Sequence, residues 1–217
     1  MPCVAAPGDY SDHEAVQQVI AAAQEAGVDP DWAQHLIDAA ERQQSILDAI
    51  SRPSEKTKAW YEYRKIFLTD RRIREGATFW SAHVDTLQAV AARSGVPAEL
   101  MVAIIGVETY YGRITGSYRV IDALATLAFD YPRRSTFFTG ELEQFLVLAW
   151  ESGKDALALK GSYAGAMGYG QFMPSSYRAY ARSYDGDGAA DIWDNPADAI
   201  ASVANYLQAH GWRGGEQ

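Results

Sequence analysis

Glu108 lies near the end of the run Pro97-Ala-Glu-Leu-Met-Val-Ala-Ile-Ile-Gly-Val-Glu-Thr-Tyr-Tyr-Gly112, in which Glu99 is the only other charge. Met101, Ile104, Ile105 and Glu108 fall at i, i+3, i+4 and i+7. That spacing predicts one helix face with the carboxyl continuing an apolar stripe towards the interior. Burial disfavours the charged form, so such a glutamic acid stays protonated near neutrality and can hand a proton to a leaving oxygen, including a glycosidic one. The competing reading is a structural glutamate satisfied by a buried arginine or a helix N-terminus. An ordinary glycosidase needs a second carboxylate at a fixed separation. Asp122, Asp130, Glu141 and Glu143 are available downstream, but none has the apolar or Gly-rich setting that would mark a partner. One convincing acid remains, and a reaction that uses one acid needs a substrate that brings its own nucleophile.

Two further stretches carry chemistry-bearing residues. Residues 161–180 are rich in Gly and Tyr, contain Gln171, Phe172 and Met173, and have Arg178 as their only charge. Such a segment suits the wall of a groove, where backbone comes close to another group. Ser183-Tyr-Asp185-Gly-Asp187-Gly188-Ala189-Ala-Asp191 matches the opening of a calcium loop. Oxygen side chains stand at positions one, three and five, glycine at six, and a carbonyl at seven. Position twelve is Asp194 rather than the bidentate Glu of that pattern. The bland alternative is an Asp-Gly turn that binds nothing.

The elements that must position these residues read as mainly α. Residues 1–10 form a lead-in. Ser11 and Glu14 have the spacing of a capping box, and Val16, Val19, Ile20 and Ala23 continue a helix that Gly27 stops. A second helix is expected from Asp31, through Trp32, Leu36 and Ile37. A long helical pattern runs from Lys58 to Ser94 and ends at Gly95 and Pro97. The β-branched residues sit at helical rather than alternating positions, so little strand is expected.

Composition narrows the function classes. The chain has 217 residues with 19 Lys+Arg against 28 Asp+Glu, a net charge of −9. That balance disfavours nucleic acid as a partner and disfavours docking on an anionic membrane through basic residues. The single cysteine, Cys3, excludes an internal disulfide and cysteine-based metal sites. The start of the chain shows no basic and apolar signal-peptide pattern, and the longest uncharged apolar run, Leu100–Val107, is far short of a membrane span.

Several long motifs together are distinctive. Ile104-Ile-Gly-Val-Glu-Thr-Tyr-Tyr-Gly-Arg113 resembles the catalytic-helix motif of the membrane-bound lytic murein transglycosylase B family, glycoside hydrolase family 103. So, in the family's order, do Gly161-Ser-Tyr-Ala-Gly-Ala-Met-Gly-Tyr-Gly-Gln-Phe-Met-Pro-Ser-Ser-Tyr177, Asp185-Gly-Asp-Gly188 and Ser202-Val-Ala-Asn-Tyr-Leu with His210-Gly-Trp212. The likeness runs from about Trp60 to Trp212.

The resemblance implies a lysozyme-like catalytic core over 96–217, an N-terminal helical region over 11–95 and an EF-hand-like loop at 183–198. It implies non-hydrolytic cleavage of the β-1,4 bond between N-acetylmuramic acid and N-acetylglucosamine in peptidoglycan, leaving 1,6-anhydromuramic ends. Glu108 would be acid and then base. Ser162, Gln171, Arg133, Arg134, Tyr63, Phe172 and Tyr206 would contact substrate, and Ser183, Asp185, Asp187, Ala189 and Asp198 would hold calcium or sodium in a structural role. No organic cofactor is expected. Glycan strands are the expected partner, with cell-wall remodelling proteins beside them, for a monomer in the periplasm or on the periplasmic face of the outer membrane. Plain core packing is the alternative for Tyr206, Tyr63 and Phe172, a turn for Ser162 and a solvated surface pair for the arginines. The family's chains continue past Trp212 with a segment that closes one wall of the cleft. Either a truncated form or fragment, or a more open cleft, is therefore expected, and the rival function is a peptidoglycan-binding module with little or no catalysis. A third reading, a calcium-responsive helical protein, would make the acidic loop the main functional element.

Overall fold

The computed structural model describes residues 8–52, 59–186 and 188–214. In chain order the helices are α1 (Val16–Glu25), α2 (Pro30–Asp38), α3 (Gln44–Ser51), α4 (Trp60–Tyr63), α5 (Asp70–Ala82), α6 (Val84–Ser94), α7 (Ala98–Thr109), α8 (Val120–Asp130), α9 (Ser135–Ser152), α10 (Pro174–Tyr180) and α11 (Pro196–Ala209). The only paired strands among the described residues, β1 (Tyr118–Arg119) and β2 (Lys160–Gly161), form a two-residue antiparallel ladder. The mainly helical expectation holds.

The chain separates into two compact units. One comprises Met1–Arg52, Gly116–Ala166 and Met173–Arg178; the other comprises Pro53–Thr115, Met167–Phe172 and Ala179–Gln217. The boundary expected between residues 95 and 96 therefore falls inside the second unit.

The first unit is built around α8, whose residues Val120–Ala128 are all buried. A helix apolar on every side belongs in a core, and α9, α3 and α2 pack against it. Its two polar interior residues are satisfied. Asp122 accepts from Arg119 Nε (2.7 Å), Arg119 Nη2 (2.8 Å) and the Glu41 amide (2.9 Å), and Thr126 Oγ1 accepts from the Gln43 amide (3.0 Å). Gly165, at φ 83°, lies so close to Leu124 that a Cβ would overlap that side chain.

Two local expectations are corrected. Ser11 caps no helix: its hydroxyl reaches the Gly8 carbonyl, and α1 begins only at Val16 without a side-chain cap. Burial of Tyr10, whose hydroxyl donates to Asp130 at 2.7 Å, overrides the Ser11/Glu14 pattern and holds the chain in turns up to Ala15. The long helical pattern after Lys58 is broken into α4, α5 and α6. Thr69 caps α5 by accepting from the Arg72 amide, and Gly95 ends α6 in the left-handed region.

In the second unit α7 packs against α5, α6 and α11. Its buried residues are Ala98, Met101, Val102, Ile105, Gly106 and Thr109.

Candidate active site

Glu108 occupies the last turn of α7. The buried stripe runs through Met101, Ile105 and Thr109, so the face expected to end on Glu108 ends one residue later, and Glu108 itself is exposed. The reason is visible in the residues: α7 is apolar on nearly every side, so spacing alone does not set which face turns inward. The expectation of a sealed carboxyl is therefore corrected to one at the surface.

The expected direction of its titration nevertheless holds. Exposed as a residue, Glu108 still loses enough water to the surrounding protein that desolvation raises its carboxyl above the ordinary value of 4.5. Among the described residues no hydrogen bond or ion pair engages this carboxyl. The structural-glutamate reading required a partner and finds none there.

The end of α7 is fastened to the Gly-rich segment by Thr109, which is 1% exposed. Its hydroxyl donates to the Tyr169 carbonyl at 2.9 Å and accepts from the Gly112 amide at 3.0 Å. The segment is itself folded back, with Met167 and Phe172 exchanging amide–carbonyl bonds of 2.9 Å in each direction. Gln171 sits at the tip of that turn at φ 52°, and its side-chain amide donates to the Gly168 carbonyl (3.0 Å) and the Thr115 carbonyl (3.2 Å). The amide expected to need a partner has found two, both backbone. Tyr169 lies over Gly112, where a Cβ would collide with its ring. Sequence reasoning missed Tyr169 and Thr109, although the bare backbone of Gly112 was a signal that something approaches closely.

The other expected site residues divide. Tyr63 is 46% exposed, with Trp60 at 70% and Tyr61 at 60% beside it in α4, so its ring presents an open face. Phe172 is 6% exposed and packs on Tyr206 at 5.7 Å between centroids. It belongs to the core of its unit, which corrects its assignment as an open platform. Tyr206 also meets Tyr180 and stacks on His210 at 4.0 Å. In the first unit, Arg133 and Arg134 are exposed, and the Arg134 guanidinium lies 4.3 Å from the Phe137 ring centre. Ser162 is a turn residue there: its Oγ accepts from the amides of Ala164 (3.3 Å) and Ala166 (3.1 Å).

The other carboxylates are mostly committed. Asp122 is paired with Arg119; Asp130 with Tyr10 and Arg42; Glu141 accepts from the Ser175 amide and hydroxyl at the start of α10. Glu143 lines an open depression of about 500 Å³ in the first unit with His13, Gln18 and Thr139, and desolvation raises its carboxyl as well.

At the acidic loop, Ser183 donates to Asp185 at 2.9 Å, and Asp198, 2% exposed, accepts from the amides of Tyr184 (2.8 Å) and Asp191 (2.7 Å). Asp187 lies outside the described residues, and Ala189 is exposed. Among the described residues no group of three or more acidic, His or Cys side chains converges as a metal cage. Asp198 instead ties both ends of the loop together through backbone amides. The donor types present, a hydroxyl and carboxylates, are those a hard cation takes.

The sequence profile described as the transglycosylase SLT domain matches residues 11–217. The chain belongs to this family. It is 46% identical over 97% of its length to the membrane-bound lytic murein transglycosylase B of Escherichia coli K12, and it spans 61% of that curated relative. The solved catenated lytic transglycosylase SltB1 of Pseudomonas aeruginosa is 53% identical, with a TM-score of 0.93, covering 96% of this chain and 69% of that one. The Escherichia coli lytic transglycosylase Slt35, solved in complex with calcium, is 47% identical with a TM-score of 0.89, covering 97% and 67%. These likenesses bear out the family resemblance and the lysozyme-like helical architecture of the transglycosylase SLT domain.

Proposed function

We propose that this chain is a peptidoglycan lytic transglycosylase that uses Glu108 alone as acid and then base. The observation that carries the proposal is the Glu108 carboxyl: exposed, free of partners among the described residues, and raised by desolvation at the end of a pinned helix. A protonated Glu108 gives its proton to the oxygen bridging N-acetylmuramic acid to N-acetylglucosamine as the bond from that oxygen to the muramyl C1 breaks. The carboxylate left behind takes the proton of the muramyl 6-hydroxyl while O6 bonds to C1. The ring closes as a 1,6-anhydro sugar, Glu108 is protonated again, and no water is consumed. A pKa above the ordinary carboxylate value serves both halves, since the group must hold a proton first and recover one afterwards.

In binding glycan, the exposed ring of Tyr63 suits the apolar face of a sugar. The exposed guanidiniums of Arg133 and Arg134 suit the carboxylates of stem peptides. Gln171 and Ser162 act through the turns their side chains hold, and Tyr206 through the aromatic cluster it anchors. Glycan strands are the partner, with wall-remodelling proteins beside them. The chain works as a monomer on the periplasmic side of the outer membrane.

The loop at 183–198 takes calcium, or sodium, through Ser183, Asp185, Asp187, the Ala189 carbonyl and Asp198. The support is the donor chemistry and the calcium complex of a relative. A bound ion supplies charge neutralisation that clamps the loop. Calorimetry with calcium should show saturable binding and a raised melting temperature; an unchanged melt removes the ion from the proposal.

The decisive experiment is mass spectrometry of products from purified peptidoglycan. Anhydromuropeptides are expected from this chain and none from Glu108→Gln, which should still be retained on peptidoglycan. Retention without cleavage by the unaltered chain would favour the binding-module reading.

A further inference from the structure

Tyr110 and Tyr111 break α7 immediately after Glu108 and Thr109, and both adopt left-handed backbone, at φ 53° and 60°. Tyrosine is unfavourable there, because its Cβ crowds the following carbonyl oxygen. Such strain persists only where surrounding structure over-determines it, and it concentrates at functional sites.

The over-determination comes from α5. The Tyr111 hydroxyl donates to the Arg72 carbonyl at 3.0 Å, and Arg72 Nη1 donates to the Gly106 carbonyl at 2.8 Å. The Tyr111 ring lies against two glycines, Gly76 on α5 and Gly106 on α7. A Cβ on Gly106 would sit 2.6 Å from Tyr111 Cε1, and one on Gly76 would overlap the phenol oxygen. Either Cβ would force the ring to shift from its slot. Phe79 closes the slot at 5.8 Å between ring centres. Gly106 and Glu108 are two residues apart, about 200° round the helix. The ring therefore grips the back of α7 while the carboxyl leaves from the front.

We infer that Tyr111 is a positioning residue for Glu108: its ring, seated between Gly76 and Gly106, fixes the last turn of α7 and so the direction in which the acid projects. The inference rests on the lytic transglycosylase reading. Tyr111 acts through the backbone, and its partners Gly76, Gly106 and Arg72 serve the same lock.

The test uses soluble uncross-linked glycan strands, with Tyr111→Ala, Tyr111→Phe and the unaltered chain, each checked for folding by circular dichroism. Misplacing a reacting group by about 1 Å costs up to about 100-fold. Tyr111→Ala should thus lose at least about tenfold in kcat while KM stays close to that of the unaltered chain. Tyr111→Phe keeps the ring in its slot and should retain most of kcat. Independently of activity, amide exchange at Thr109–Gly112 should accelerate in Tyr111→Ala and not in Tyr111→Phe. Should Tyr111→Ala fail to fold, Tyr111→Leu takes its place with the same expectations. A folded Tyr111→Ala chain with unchanged kcat, or one whose loss appears entirely in KM, overturns the positioning role. An unaltered chain that yields no anhydro products overturns the functional reading first, and the catalytic role of Tyr111 falls with it.

Discussion

Thr109→Val replaces a buried hydroxyl by a methyl of nearly the same shape, one residue after the proposed acid. The hydroxyl now joins the Tyr169 carbonyl (2.9 Å) to the Gly112 amide (3.0 Å). Removing it leaves one donor and one acceptor without their partner, at about 1–3 kcal/mol for each group that stays buried. Gly112 and Tyr169 are only partly buried, so water recovers a share, and a loss of about 2–3 kcal/mol is expected. For a chain of this size that lowers the melting temperature by about 4–12 °C. Thr109→Ser keeps the hydroxyl and forfeits one buried methyl, about 1 kcal/mol. Urea unfolding followed by both circular dichroism and fluorescence measures the difference, and coincident transitions confirm that two states suffice. The predicted order of stability is unaltered chain, then Thr109→Ser, then Thr109→Val. A Val variant as stable as the Ser variant would refute the claim that this hydroxyl fastens the Gly-rich segment to α7.

Two more outcomes follow from the same geometry. Because folding raises the Glu108 pKa, the folded state holds that proton more tightly, and the associated stability is present at low pH and lost as pH rises through the folded-state value. Glu108→Gln should therefore gain stability relative to the unaltered chain above that value and no longer do so near pH 4 or below, about the ordinary carboxylate range; equal stability gaps at pH 4 and pH 8 would contradict the raised pKa. Arg119→Met strands the Asp122 carboxylate, 4% exposed, in the core of the first unit and should cost about 3–5 kcal/mol by chemical unfolding, much of it recovered when Asp122→Asn is added.

The chemistry was more legible than the geometry. Glu108 could be singled out because no other carboxylate stands at the end of so apolar a run, and partial desolvation in the fold raises its carboxyl. The phase of α7 was not legible, because apolar side chains on all sides leave rotation to be settled by what packs against it. The low charge of their segment suits Phe172 and Gln171 to a groove wall. Low charge does not distinguish a wall from a core, and packing on Tyr206 put Phe172 in the latter. Ser11 carried a local capping pattern that lost to the long-range burial of Tyr10.

Residue types and local spacing determined by themselves that this protein is helical, that Glu108 closes an apolar run, and that a Gly-rich segment and an acidic loop follow it. Tertiary structure alone decided that Glu108 is exposed, that Asp198 accepts from two backbone amides, and that Gly76 and Gly106 border a tyrosine ring. The division has a physical cause. Helix propensity depends on near neighbours in the chain, whereas helix rotation, burial and the space beside a glycine depend on what the fold packs there, as Tyr111 packs on Gly76.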